Sequence, residues 1–334
     1  MTRAKEMRWA LVAMLLFWVV GFVLGWYLHA GMGRIVVPKA LRLGGYQFID
    51  PLLLCNMNNS NAYSENKLLS KEMQTIIDIN KRSGIISKTS VYFADLKNGT
   101  WANVYGDEQY YPSSLGKIPL MMAYYQMAEN SPDILTQQIL YPLGSTDLNQ
   151  MQDMQPKEAI DPGHSYAVEQ LIEYMIKYSD NNATALLDAN INASALNRVY
   201  GDLGIPSKES VNLLNLDFMT VRQVSTMFRV LYNATYLSRD YSEKALKLLS
   251  QSSFTQGLAA GVAPGTRVSH KLGLVGIASD NVTTEHELHD CGIVYAKDPY
   301  LVCVMTRGTA PLSQMESVVS QISKVVYSSV QGGE

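Results

Sequence analysis

The chain predicts an α+β fold: an antiparallel sheet flanked by helices, interrupted by an inserted helical subdomain and preceded by an N-terminal transmembrane helix. Three observations carry this expectation. The stretch Trp9–Gly33 holds no Lys, Arg, Asp or Glu. Strand-like runs fall in two groups, near 89–106 and again from about 267 to 308, and the residues between about 114 and 260 read as helical. An amphipathic run over residues 313–330 then closes the chain as a helix.

Composition bounds the rest. With 334 residues, 47% hydrophobic and 17% charged, the chain beyond its apolar segment is long enough for one large domain. A net charge of -3 with Lys and Arg scattered supplies no basic field, which excludes nucleic acid as an expected partner. No repeat or low-complexity tract suggests an array.

Residues 1–8 read as a cytoplasmic N-terminus and 9–33 as a single-pass anchor, long enough to cross a hydrocarbon core of about 30 Å as a helix. Trp9, Trp26 and Tyr27 lie at its ends, where amphipathic rings meet the interface. Arg3, Lys5 and Arg8 precede it and Arg34, Lys39 and Arg42 follow, so the positive-inside asymmetry is weak. A membrane protein with its domain extracytoplasmic is the expected localisation. A cleaved signal peptide is the rival, against which stand the length of the apolar run and the lack of an A-x-A site.

Residues 34–60 form a juxtamembrane segment, broken by Gly44-Gly45 and Pro51, whose short apolar runs should dock onto the domain of residues 61–330. Three cysteines allow one disulfide with one left over. Cys55 with Cys291 is the pairing expected, because the run before Cys55 must dock somewhere and Cys291 begins a strand; Cys303 is then left buried in its own strand. Three buried thiols are the alternative.

A first helix spans 64–82, ended by Gly84. Strands near 89–96 and 100–106 should pair across the Asn98-Gly99 turn. The helical middle includes KIPLMMAYYQMAE, YAVEQLIEYMIKY, NATALLDAN, SALNRVYGDLG and a helix opening on Thr220 with Gln223 as its capping-box partner. RVSHKLGLV, CGIVYA and YLVCVMTRG are the later strands, the last two joined by a hairpin over Lys297-Asp298-Pro299.

Three motifs fall at the junctions of this plan. Ser114-Leu115-Gly116-Lys117 starts an apolar helix, and its spacing puts a hydroxyl and an amine one turn apart on one face, so a lysine made neutral by burial can take the serine proton. A serine N-cap followed by a solvated lysine is the plain alternative. Ser179-Asp180-Asn181 lies between two helices, where the hydroxyl can relay a proton and the asparagine amide can grip a carbonyl; capping is again the alternative. Lys271-Leu272-Gly273 lies in the first strand of the later group, where glycine lets a ligand approach and lysine supplies charge.

In this order and these settings the chain resembles class A β-lactamases and penicillin-binding proteins over about residues 61–330. The resemblance implies a β-lactamase-like fold, no cofactor and no metal. It implies that Ser114 is the acylated nucleophile, Lys117 its base, Ser179 the proton relay, Asn181 a substrate-amide contact and Lys271 an electrostatic anchor. The backbone N–H groups of Ser114 and Leu274 would form the oxyanion hole, with Gly273 keeping the strand accessible.

Two departures bear on substrate. Leu272 has no hydroxyl where the family pattern K-[ST]-G has one, which puts carboxylate recognition in doubt. The segment between Gly204 and Thr220 has no E-x-x-L-N motif, so the glutamate that activates the deacylating water is missing unless Glu209 serves. His286-Glu287-Leu288-His289-Asp290-Cys291 is not H-E-x-x-H, and a polar loop before a strand is expected there rather than zinc. The expected function is a membrane-anchored serine hydrolase acting on a β-lactam or a peptidoglycan peptide, with slow deacylation. The alternatives are a D,D-carboxypeptidase of the penicillin-binding type and a non-catalytic binding module of the same fold.

Overall fold

In the computed structural model, the described residues are 2–31, 40–55, 64–206, 217–279 and 282–332. They fall into two units, Met1–Pro38 and Lys39–Glu334. The first holds helix α1, Thr2–Gly31, 30 residues long. Among the described residues no helix is long and apolar enough to cross a membrane. Helix α1 covers residues 9–31 of the span expected at 9–33.

The second unit opens with strands β1 (Ala40–Arg42) and β2 (Leu52–Cys55), paired antiparallel. This segment docks as expected. Phe48 and Ile49 are buried in the main core, and the Glu243 carboxylate accepts the backbone N–H groups of Gln47, Phe48 and Ile49 at 3.0 Å each. Arg42 donates to Asn233 Oδ1 at 2.9 Å and to the Leu96 carbonyl at 2.7 Å. Helix α2 (Lys67–Arg82) follows, capped by Asn66 through the Leu69 N–H. Strands β3 (Lys88–Asp95) and β4 (Trp101–Val104) pair antiparallel across the turn that holds Gly99.

The insert begins after β5 (Gln109–Tyr110) with a one-turn 3-10 helix, Ser113–Gly116, that runs straight into α3 (Lys117–Asn130). Met121, Met122, Ala123, Tyr124 and Tyr125 of α3 are buried, so the Met/Tyr row is core, as expected. Short strands β6 (Gln138–Leu140) and β7 (Ser165–Ala167) pair, and α4 (Val168–Lys177), α5 (Asn181–Asn190) and α6 (Ala193–Asp202) complete the lobe. Strand β8 (Met219–Thr220) pairs with β5. Thr220 and Gln223 form the expected capping box of α7 (Val221–Tyr232). Helix α8 (Arg239–Leu249), capped by Ser238, was not among the expected elements.

Strands β9 (Arg267–Ser279), β10 (Val282–Tyr295) and β11 (Tyr300–Gly308) complete a five-stranded antiparallel sheet of order β4-β3-β11-β10-β9, and α9 (Leu312–Gln331) closes the chain. The central strand β11 buries both faces: Val302 and Val304 join the core with α2 and α9, whereas Leu301, Cys303 and Met305 join the core of the helical insert. That is why its sequence is continuously apolar.

Two expectations need correction here. Strand β10 begins at Val282, so His286–Asp290 is strand and not a polar loop; Glu287, His289 and Asp290 are fully buried. The disulfide joins Cys291 to Cys303, not to Cys55, whose side chain lies outside the described residues. The 12-residue separation is centred on Lys297, the hairpin loop, so register sets Cys291 opposite Cys303.

Candidate active site

The Ser113–Gly116 turn, which carries the candidate nucleophile, is held where sheet meets insert. Ser113, immediately before Ser114, has φ +48°, and Ser179 has φ +62°. A left-handed backbone costs a non-glycine residue free energy and persists only where neighbours hold it. Ser113 is held by its hydroxyl, which donates to the Leu274 carbonyl at 2.6 Å, tying the turn to the edge strand β9. A Cβ on Gly273 would meet the Pro112 carbonyl at 3.0 Å and Leu115 Cγ at 3.1 Å, so glycine is what lets the turn and the strand come this close.

Ser179 is held between α4 and α5, where Asp180 caps α5 by accepting from Asn182 and Ala183 N–H. The capping reading of this tripeptide is met by Asp180, not by Ser179. The Asp180 carboxylate is fully buried and also accepts Asn149 Nδ2 at 3.0 Å and the Ile160 N–H at 2.8 Å, which fixes the turn in place.

Five of the residues singled out converge. Ser179 Oγ donates to Ser114 Oγ at 2.9 Å. Lys271 Nζ donates to Ser179 Oγ at 3.0 Å and Lys117 Nζ to the same oxygen at 3.2 Å. Lys117 also donates to the Ser179 carbonyl at 2.6 Å and to Asn181 Oδ1 at 2.8 Å. The Ser179 hydroxyl is thus a hub between the candidate nucleophile and two amines. Burial and then the charge of Lys271 push Lys117 well below its ordinary range. Burial pushes Lys271 down to about 7, against the opposing charge of Asp290. Both amines therefore give up a proton far more readily than a solvated lysine.

Lys271 and Gly273 share the face of β9 that meets the insert, as strand periodicity requires. Leu272 faces the other way, into the core that holds Val268 and Phe254. A cavity of about 570 Å³ opens over Ser114 and Lys117, lined further by Asn181, Tyr200, Phe218 and Leu274. Glu209 lies outside the described residues. Among the described residues no cluster of His, Cys, Asp or Glu is arranged to hold a metal ion.

The sequence profile of the Beta-lactamase enzyme family matches residues 68–330, most of the chain. The chain belongs to that family. Membership makes it a serine hydrolase that acts on amide bonds. Solved structures share the fold at low identity. PBP-A is 20% identical with a TM-score of 0.65, over 81% of this chain and 98% of that one. The β-lactamase of Sphaerobacter thermophilus is 19% identical with a TM-score of 0.64, over 79% and 98%. A class A β-lactamase of the last common ancestor of Gram-negative bacteria is 22% identical with a TM-score of 0.63, over 78% and 99%. No curated protein matches the chain.

Sequence reading missed the buried polar residues around this family site. Glu287 and Arg307 face each other across β10 and β11. His270 Nδ1 lies 2.8 Å from Asp290 Oδ1 behind Lys271. Hairpin arithmetic was the signal available: Glu287 and Arg307 stand ten residues either side of Lys297 (297 − 287 and 307 − 297), which sets opposite charges face to face.

Proposed function

We propose that the chain is a membrane-anchored, extracytoplasmic enzyme that forms an ester at Ser114 from a β-lactam or a cell-wall peptide amide and hydrolyses that ester slowly. The observation that carries this reading is the Ser179 hydroxyl, within hydrogen-bond reach of Ser114 and of both lysine amines. Neutral Lys117 takes the Ser114 proton through Ser179 as Ser114 Oγ bonds to the carbonyl carbon. The carbonyl electron pair moves to oxygen, facing the N–H groups of Ser114 and Leu274; each such donor is worth about 3–4 kcal/mol to the transition state. As the C–N bond breaks, the proton returns from Lys117 through Ser179 to the leaving nitrogen. Asn181 holds Lys117 and offers its amide to the substrate, while Lys271 supplies positive charge. A PBP-A variant is solved as an acyl-enzyme complex with penicillin G, which supports the acylation step by analogy of fold.

Slow deacylation follows from the segment between Gly204 and Thr220, which lacks the family's glutamate motif. Without a second positioned base, ester hydrolysis loses about 10²–10⁴ in rate. The anchor is supported by the charge-free run Trp9–Gly33 and by the continuous helix Thr2–Gly31.

Stopped-flow hydrolysis of a chromogenic cephalosporin tests the chemistry. A burst equal to the enzyme present should precede poor turnover, Ser114→Ala should abolish the burst, and Glu209→Gln should leave both phases nearly unchanged. Fast, burst-free turnover that collapses in Glu209→Gln would make Glu209 the deacylating base. Binding of labelled penicillin without a covalent label on Ser114 would favour the non-catalytic module.

A further inference from the structure

The backbone N–H and carbonyl of Tyr111, three residues before Ser114, are both held by buried side chains of one strand. Its N–H donates to Glu287 Oε2 at 3.0 Å. Its carbonyl lies 3.0 Å from His289 Nε2. The Thr306 N–H donates to His289 Nδ1 at 3.3 Å, so Nδ1 is the acceptor and Nε2 carries the proton given to Tyr111. Glu287 and His289 are both fully buried. Residues two apart on a strand share a face, which is why this pair reaches the two backbone groups of one residue.

The arrangement extends to a second segment. Arg307, opposite Glu287 in register, donates through Nε to Glu287 Oε1 at 2.8 Å and through Nη2 to both Glu287 and Asp217. Next to Asp217, the Phe218 N–H donates to the Tyr110 carbonyl at 3.1 Å. Phe218 and Tyr111 both line the cavity over Ser114. Burial pushes the Glu287 carboxyl up, but its hydrogen bonds with His289 and Arg307 and the Arg307 charge outweigh this and leave it below the ordinary range.

We propose that Glu287, His289 and Arg307 are positioning residues that fix the backbone leading into Ser114 and couple it to Asp217 and Phe218 on the cavity wall. The charge path Asp217–Arg307–Glu287 ends on the Tyr111 N–H, so a change at Asp217 is felt in the nucleophile turn. None of the three touches the reacting atoms; they act through the place of Ser114 and its N–H. The consequence for rate rests on the acylation reading above, whereas the coupling itself does not.

The test uses the full chain and two readouts. Amide hydrogen exchange of the peptide covering 109–113 is compared between the wild type and Asp217→Asn, Arg307→Lys and Arg307→Ala. Loss of the coupling should speed exchange there by about tenfold or more in Asp217→Asn and Arg307→Ala. Arg307→Lys, which keeps one charge but loses the fork, should fall between. Unchanged exchange at 109–113 in a folded Asp217→Asn protein would overturn the proposal, whether or not Ser114 is acylated; this variant alters a partly exposed side chain and serves if Arg307→Ala does not fold. The second readout is acylation by labelled penicillin, read as rate constant and affinity separately. Asp217→Asn and Arg307→Ala should each lower the acylation rate constant about 10–100-fold with little change in initial affinity, and the double variant should lose no more than either alone. Additive losses would overturn the coupling. A wild type that shows the exchange pattern but takes no label would refute acylation and leave the coupling standing.

Discussion

At the scale of single residues, the proposed acylation makes its pH behaviour depend on one hydroxyl and two amines. Lys117 must be neutral to accept a proton, and burial with the Lys271 charge favours that form. Lys271 must be protonated to attract an anionic substrate, yet burial brings it from 10.5 to about 7. Its charge is therefore lost as pH rises through about 7, and acylation by a carboxylate-bearing penicillin should decline above that point. Lys271→Arg should carry the decline to higher pH. Asp290→Asn should shift it below 7, because the Asp290 charge is what raises Lys271. A wild-type pH–rate profile with no descending limb near 7 would show that Lys271 charge is not used. Stability follows with its own sign: between about 7 and 10.5 the unfolded chain binds the proton that folded Lys271 has lost, so the Lys271 contribution to stability rises with pH across that window. Ser179→Ala removes the hub and should slow acylation about 10²–10⁴-fold, measured as covalent labelling of Ser114 against time.

At the scale of elements, the edge strand β9 and the turn that carries Ser114 are fitted to each other through Gly273. Gly273→Ala should force the Pro112 carbonyl and Leu115 away from the strand by a few tenths of an ångström. A displacement of this kind in a reacting centre costs about tenfold to 10²-fold in rate. Labelling as fast as wild type would mean that the turn gives way without disturbing Ser114. Elements with a clear period were legible: α3 through α7, the β3–β4 pair and the capping box at Thr220 all follow from spacing and punctuation. Thr220→Ala should cost about 1 kcal/mol in denaturant unfolding. What sequence reading missed was buried polarity. A strand carrying Glu287, His289 and Asp290 on two buried faces lacks the apolar alternation that marks strands, and its partners Arg307, Tyr111 and His270 are distant in sequence. The three motif segments were legible because a catalytic spacing is local, whereas the residues that hold them are brought in by the sheet.

At the scale of the whole molecule, residues 40–55 belong to the folded unit Lys39–Glu334. The unit boundary falls at Pro38–Lys39. Beyond it, Phe48 packs edge-on against Tyr295, Tyr295 Oη donates to the Phe48 carbonyl at 2.9 Å, and Arg42 stacks over Tyr232. The Glu243 carboxylate spends its acceptor oxygens on three N–H groups of this segment. Removing residues 1–38 should therefore leave the domain intact and separate it from membranes, if Trp9–Gly33 is the anchor. Removing residues 1–60 should be different in kind, because it strips the cover from Tyr295 and Tyr232 and leaves the buried side of Glu243 without donors. Uncovering two such aromatic contacts and a charged acceptor costs several kcal/mol by their usual magnitudes, about 1.5–3 kcal/mol for each large side chain. Thermal unfolding of the two truncated chains and their partition between membrane and soluble fractions check this together. The 1–38 deletion should melt with the full domain and remain in the soluble fraction, and the 1–60 deletion should melt far lower. Equal melting of the two would show that the segment only rests on the domain, and a 1–38 deletion that still sediments with membranes would place the anchor elsewhere in the chain.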